Sequence, residues 1–452
     1  MKKLQEASER WKKEGHEYKT ALNEWLDIIY IQKENPTTDC PEEPRKDMSE
    51  YVLEQLIEHN KNGQHKEFRE LFPADNDPLS DVLDDSKWYK VRKVAILDDN
   101  RIIAKIGDYY EWQGVYTIQD DKITLLDDLI GFGFSEDKKY FAKVYNTKIE
   151  IHEGWDGAIV STLDLPENAT LKQLQYESIN VFSTGKQVVL TTYCGIFVIN
   201  EDGFELIHGG LDTDYEDDED EDEDDEDEND DEDDEDDEES KYKFLYYPHA
   251  ALSPDDKYIT VGSQNSSHIV LMQQDQKWEE TANIEQRSSY PNIACFNYKF
   301  QPPLLALGSC HFSHSATLGV LVDQIEGLKA SGYDMDSEAL FVVDNRRWIF
   351  SMYPSASGFY LGSNDGYLWL KVSDEKSHYI HIGGTIMSID VAPDRQHIVV
   401  GTASGQVVLL RWQNTDPVEN KNIRIDPYLI TNLPVIDEKR YLFMNGNEPL
   451  IW

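Results

Sequence analysis

The chain has 452 residues, long enough for one large domain or several ordinary ones, and its 88 Asp and Glu against 42 Lys and Arg give a formal net charge of −46. That balance argues against nucleic acid and anionic membranes as direct ligands, because both are held by clustered Lys and Arg facing phosphate. Four cysteines, Cys40, Cys194, Cys295 and Cys310, form no CxxC pair, and no stretch approaches the roughly 18 apolar residues of a spanning helix, so a reduced, cytoplasmic setting is expected.

Residues 1–86 read as an α-helical region. Leu4, Ala7, Trp11, Tyr18, Leu22, Trp25, Leu26 and Ile29 recur at three- and four-residue spacings, which is the stripe of an amphipathic helix. A second helix is expected over Met48–His59, with Tyr51, Leu53, Leu56 and Ile57 inward and Ser49 as its cap. A third, from His65 to Leu71, should stop before Pro73.

From Lys87 to Trp452 the apolar period changes to two, and one unit recurs: strand, turn rich in Ser, Pro, Asp or Gly, strand, small polar turn, strand. The clearest copies begin at Ala251 (ALSPDDKYITVGSQNSSHIVLM) and Asp390 (DVAPDRQHIVVGTASGQVVLLRW); weaker ones begin at Ile96, Phe134, Val181, Phe300, Tyr353 and Val435. Copies every 40 to 50 residues or so match the length of a four-stranded blade, so residues 87–452 are expected to form a β-propeller. Eight copies favour eight blades; seven is the alternative, since the stretch from Glu326 to Trp348 between two copies is irregular. The last copy ends at Trp452 without a fourth strand, and Ser86–Lys93 (SKWYKVRK) is expected to supply it and so join the two ends of the ring.

The phrase SPDDKYITVGS at Ser253–Ser263 and the GSNDG turn at Gly362–Gly366 resemble the second-strand region of WD40 repeats. The resemblance implies a divergent, WD40-like, mainly β propeller in which connections between blades share a face with the turns joining second to third strands, the face that commonly meets partners.

One connection is exceptional. Between Asp212 and Glu239 lie 25 carboxylates and no Lys or Arg, and without them the rest of the chain still carries −21. Like charges at that density repel and offer no apolar surface to bury, so 212–240 is expected to be a disordered insertion within the propeller. It follows GIFVINEDGFELIHGG, read as the third and fourth strands of one blade, and precedes YPHAALSPDD, read as the first strand of the next. The resemblance therefore puts it on the same face as the loops DYYEW (Asp108–Trp112), TTYCG, SQNSSH, SCHFSHS and SNDG. Candidate partner-binding residues on that face are Tyr109, Tyr110, Trp112, Tyr193, His311 and Phe312, together with Asp217, Asp218, Asp224, Asp225, Asp230, Asp234 and Glu239 of the tract. Tyr and Trp bury much area for few rotatable bonds, and a polyanion attracts cations from a distance.

Cys310, His311 and His314 spell C-H-x-x-H, but a structural zinc site takes four ligands and no second pair lies nearby, so no metal is read here. No GxSxG, Walker A, HExxH or GxGxxG motif is present and no cofactor is implied. The expectation is a non-catalytic interaction protein that binds and neutralises a basic protein, one concrete form being an immunity protein or inhibitor of a cationic toxin. The alternatives are an acidic chaperone or escort for basic, histone-like proteins, and a propeller hydrolase or lyase with carboxylates hidden in its channel. Oligomeric state is not legible.

Overall fold

The computed structural model describes residues 2–30, 34–74, 79, 88–97, 101–107, 113–166, 169–209, 244–264, 266–275, 277–285, 290–310, 315–331, 337–373, 376–393, 396–412, 431–432, 435–444, 446 and 448–452. Three helices precede the strands: α1 (Lys2–Tyr30), α2 (Ser49–Lys61) and α3 (His65–Leu71). Ser49 is not the cap of α2. It is the first helical residue, its hydroxyl bonds back to Lys46 O, and a 3-10 turn, Lys46–Met48, leads in. Val52, on the same stripe as Leu56, is fully buried.

The strands form seven sheets, four of four strands and three of five, each with an antiparallel four-stranded core and numbered as a blade from its inner strand outward. Blade 1 is β1 (Val91–Ile96), β2 (Ile102–Ile106), β3 (Gly114–Gln119) and β4 (Lys122–Leu126); blade 2 is β5 (Gly131–Phe134), β6 (Tyr140–Val144), β7 (Lys148–Glu153) and β8 (Ile159–Asp164). Blade 3 is β9 (Tyr176–Val181), β10 (Val188–Thr192), β11 (Gly195–Asn200) and β12 (Gly203–His208). Blade 4 is β13 (His249–Leu252), β14 (Tyr258–Gly262), β15 (His268–Gln274) and β16 (Lys277–Glu285); blade 5 is β17 (Pro291–Asn297), β18 (Leu304–Ser309), β19 (Ala316–Leu321) and, after the short β20 (Lys329–Ser331), β21 (Leu340–Asp344). Blade 6 is β22 (Ile349–Ser355), β23 (Gly358–Ser363), β24 (Tyr367–Ser373) and β25 (Lys376–His381); blade 7 is β26 (Ile386–Val391), β27 (His397–Thr402), β28 (Gln406–Trp412) and, after β29 (Thr431–Asn432), β30 (Val435–Leu442), to which β31 (Leu450–Ile451) adds.

The ring therefore has seven blades, not the eight favoured by counting repeats. Seven of the eight copies each mark one blade. The eighth, from Val435, is β30 and β31, the two outer strands of blade 7, with β30 paired to β28 across 413–430. A strand pair looks alike in sequence whether it sits inside or outside a blade, and the long interval before β30 made it resemble a new unit. The expected closure is corrected for the same reason. Blade 7 has its own outer strand, and Val91 begins the inner strand of blade 1. The segment before it meets blade 7 only at its end, through the antiparallel bridge of Trp88 to Met444 and the bond from Tyr89 N to Phe443 O at 3.1 Å. The irregular stretch Glu326–Trp348 supplies β20, which pairs in parallel with β16 of the preceding blade, and then β21.

Residue patterns follow position in the ring. The second strands β2, β10, β14, β18 and β23 are buried along their whole length, because blades cover both of their faces, and read as mainly apolar runs with a few buried polar residues such as Lys105, Thr191 and Thr192. The outermost strands β4 and β8 alternate or face outward. First-to-second turns use one device twice: Ser135 and Ser253 each donate to the Asp two residues on, Asp137 and Asp255, and accept from the backbone N–H five residues on, Tyr140 and Tyr258.

The helices are built into this ring. Trp11, Phe68, Phe72 and Trp452 form an aromatic nest with Val52, Leu56 and Leu450. Its polar edges are satisfied by bonds from Trp11 Nε1 to Pro73 O (2.8 Å) and from Trp452 Nε1 to Phe72 O (2.6 Å). Asn60 of α2 reads the edge of β31 as a further strand would, donating to Ile451 O and accepting from Ile451 N. Further along α1, Leu22 and Leu26 are buried against Phe359, Trp369 and Tyr379 of blade 6. Each such apolar side chain removed from water contributes about 1.5–3 kcal/mol.

Candidate partner-binding face

In an antiparallel blade numbered outward, the second-to-third connection and the connection to the next blade leave from the same ends of the strands. The acidic tract joins β12 of blade 3 to β13 of blade 4. The loops DYYEW, TTYCG, SQNSSH, SCHFSHS and SNDG join β2 to β3, β10 to β11, β14 to β15, β18 to β19 and β23 to β24. All are connections of that one face.

On the far side of the tract the chain is described again from Phe244, where it docks against the β10–β11 turn. Phe244 stacks on Tyr193 with ring centroids 5.3 Å apart and 29° between planes, and meets Tyr246 edge-on at 4.9 Å. Leu245 is the peg: its side chain is buried with Ile196, Val261 and Leu271, and its N–H donates to Tyr193 O at 2.6 Å. Tyr246 O then accepts from Gln264 N at 2.7 Å, so the segment bridges the β10–β11 and β14–β15 loops. Between these anchors Tyr246 and Tyr247 are 59% and 53% exposed, the most exposed large aromatics among the described residues.

Tyr247 has φ 51°, a left-handed conformation that an aromatic residue rarely adopts, and Pro248 follows it. Strain of this kind persists only where the surroundings impose it. Beneath it are two buried histidines. His268 Nε2 lies 3.0 Å from Gly308 O, and its Nδ1 lies 3.1 Å from His249 Nε2. A carbonyl can only accept, so His268 Nε2 carries its proton and Nδ1 receives the one from His249; both rings are neutral. Burial pushes both below the usual range, His268 to about 3, and the His268 ring lowers His249 further. The pair is a rigid floor for the turn that presents the two tyrosines.

Of the residues singled out from sequence, Tyr193 is placed, half-buried beneath Phe244. Tyr109, Tyr110, Trp112, His311, Phe312 and the tract residues Asp217, Asp218, Asp224, Asp225, Asp230, Asp234 and Glu239 lie outside the described residues, as do the 212–240 insertion and His314. Cys310 is buried, with its N–H bonded to Tyr290 O. Among the described residues no cluster of three or more His, Cys, Asp or Glu could hold a metal, and no helix is long and apolar enough to cross a membrane. The aromatic platform Phe244, Tyr246 and Tyr247 escaped the sequence reading. Its signal was the FLYYP run directly after the acids, overshadowed by the tract itself.

The arrangement offers two exposed aromatic rings that follow a dense polyanion closely in sequence. Aromatic faces attract Arg and Lys through the ring quadrupole, contributing about 0.5–2 kcal/mol per contact.

No family model and no curated protein matches the chain. Among solved structures it is similar to one described as KlHsv2 with loop 6CD replaced by a Gly-Ser linker, with 10% identity over 77% of this chain and 98% of that chain and a TM-score of 0.43. The seven-bladed architecture rests on the strand pairing of this chain itself.

Proposed function

We propose that this propeller, WD40-like and cytoplasmic, is a non-catalytic binding protein that captures and neutralises a basic protein, in the manner of an immunity protein or inhibitor of a cationic toxin. One observation carries the reading: the connection that holds 25 carboxylates returns to the fold at the exposed pair Tyr246 and Tyr247. A polyanion alone is promiscuous and weakened by salt; aromatic anchors on a fixed turn add short-range selectivity. The tract accelerates encounter and the tyrosines hold what it delivers. The second reading, an escort for many basic proteins, is favoured by the tract alone and does not need the platform.

Titration against a panel of purified cationic proteins, among them a basic nuclease and a histone dimer, at two salt concentrations tests both. Tight one-to-one binding of one member, weakened at least about tenfold in the Tyr246→Ala/Tyr247→Ala variant, supports a specific inhibitor. Similar affinities across the panel, unaffected by that variant, support the escort. No binding to any member at low salt sinks both.

A further inference from the structure

All seven inner strands contribute to the wall of a central cavity of about 380 Å³, within the usual range of small-molecule sites. Its apolar lining includes Phe134, Val181, Met352 and Ile389. Its charged lining is almost wholly matched. Glu177 bonds Arg92 at 2.5 Å, and Glu136 pairs with Lys299 at 2.8 Å. Nearby Asp390, fully buried, accepts from Lys138 Nζ and Ile96 N, both at 2.6 Å.

Lys93 of β1 is the exception. Its Nζ lies 5.2 Å from the centroid of the Phe134 ring, and among the described residues it makes no ion pair and no hydrogen bond. The groups that act on it are Asp390 on β26, Cys295 on β17, Glu177 on β9 and Lys138 on the β5–β6 turn. Burial pushes the Lys93 amine below its usual range, with Lys138 adding to the shift and the acids opposing it. An amine that lines a cavity, partly withdrawn from water and without a hydrogen-bond partner, is placed to act as a nucleophile toward carbonyl carbon. An anionic ligand is disfavoured, because Glu136, Asp137, Glu177 and Asp256 also line the space.

We infer that the channel is a binding site for a small neutral aldehyde or ketone, held as an imine on Lys93 Nζ. The nitrogen lone pair adds to the carbonyl carbon; the carbonyl oxygen then leaves as water, taking both amine hydrogens, and a C=N bond replaces C=O. No oxidant or reductant is consumed. Pro248 and His249, beside the aromatic platform, also line this cavity, but Tyr246 and Tyr247 do not, and Lys93 lies across it on β1.

Reductive benzylation tests this on the full chain. The protein is incubated at pH 7 with benzaldehyde and sodium cyanoborohydride, and benzylated lysines are quantified by peptide mass spectrometry. Lys93 is expected to react at least about tenfold faster than the exposed Lys122 and Lys277, because each unit of lowered pKa raises the free-amine fraction tenfold. Its rate should level off at a lower pH than theirs, and in Lys93→Met, which keeps the length and removes the nucleophile, the fast phase should vanish while the unfolding midpoint stays in place. Labelling of Lys93 no faster than Lys122 overturns the site. Equally fast labelling of Lys93 in urea-unfolded chain does so too, since reactivity would then belong to the peptide and not the channel.

Discussion

Blades 4, 6 and 7 have covered rims, whereas among the described residues no further strand covers blades 1 to 3. Outside β16 lies β20, outside β25 lies β29, and outside β30 lies β31, itself capped by Asn60 of α2. Blades 6 and 7 also carry the helices through Leu22, Leu26 and the nest around Trp452. On the other side of the ring β4, β8 and β12 end their sheets, and Leu125, Ile159 and Val160 face solvent. An unpaired edge invites pairing with another chain. The acidic connection runs from a bare blade, blade 3, to a covered one, blade 4.

Four experiments can break or sharpen that contrast. Trp452→Ala, which empties the centre of the aromatic nest, should cost about 3–5 kcal/mol in urea unfolding. A loss below about 1 kcal/mol would show that helices and ring fold as separate units. Next comes acid. Neutral folded His268 has its value near 3 against the ordinary 6.5, so between those values the unfolded chain binds the extra proton. Its contribution is complete above about pH 6.5 and lost as pH falls toward about 3. Urea midpoints of wild type and His268→Gln, compared from pH 7.5 down to 4, should converge as the pH drops; a constant gap refutes the neutral pair. Third, Ile159→Lys on the bare β8 edge should change stability by no more than about 0.5 kcal/mol, as surface changes do. A larger loss would mean that a partner strand covers that edge in solution. Smallest of all, deleting 212–239 should leave the melting temperature in place while slowing capture of a cationic protein at low salt, an effect that fades as salt rises. A drop in melting temperature would place the tract among the packed elements.

Much of the fold was legible because strand patterns are local. Seven blades were marked by their own turns, and the helix at His65–Leu71 falls where its periodicity puts it. The eighth blade arose because β30 lies beyond 413–430 from its neighbour β28, and pairing across such an interval leaves no local trace. Ser49 misled similarly: a serine before an apolar run signals a cap, but the 3-10 turn of Lys46–Met48 moved the helix start. The site was legible only in part. Tyr193 was named for its loop, while Tyr246 and Tyr247 became visible only when Leu245 was seen to anchor the segment and leave them outside. Lys93 carried no signal at all, since a lysine at strand period reads as solvent-facing until other inner strands surround it.

By itself the sequence determined that the chain is a ring of repeated sheets, that it opens with helices, and that a polyanion interrupts one connection, because turn chemistry, apolar period and charge density are properties of neighbouring residues. Tertiary structure decided the number of blades, the covering of three of the rims, the exposure of two tyrosines on a strained turn and the isolation of one amine in the channel. Those depend on which distant segments meet, and desolvation at Lys93 and His268 arises only when the walls that exclude water come from several blades at once.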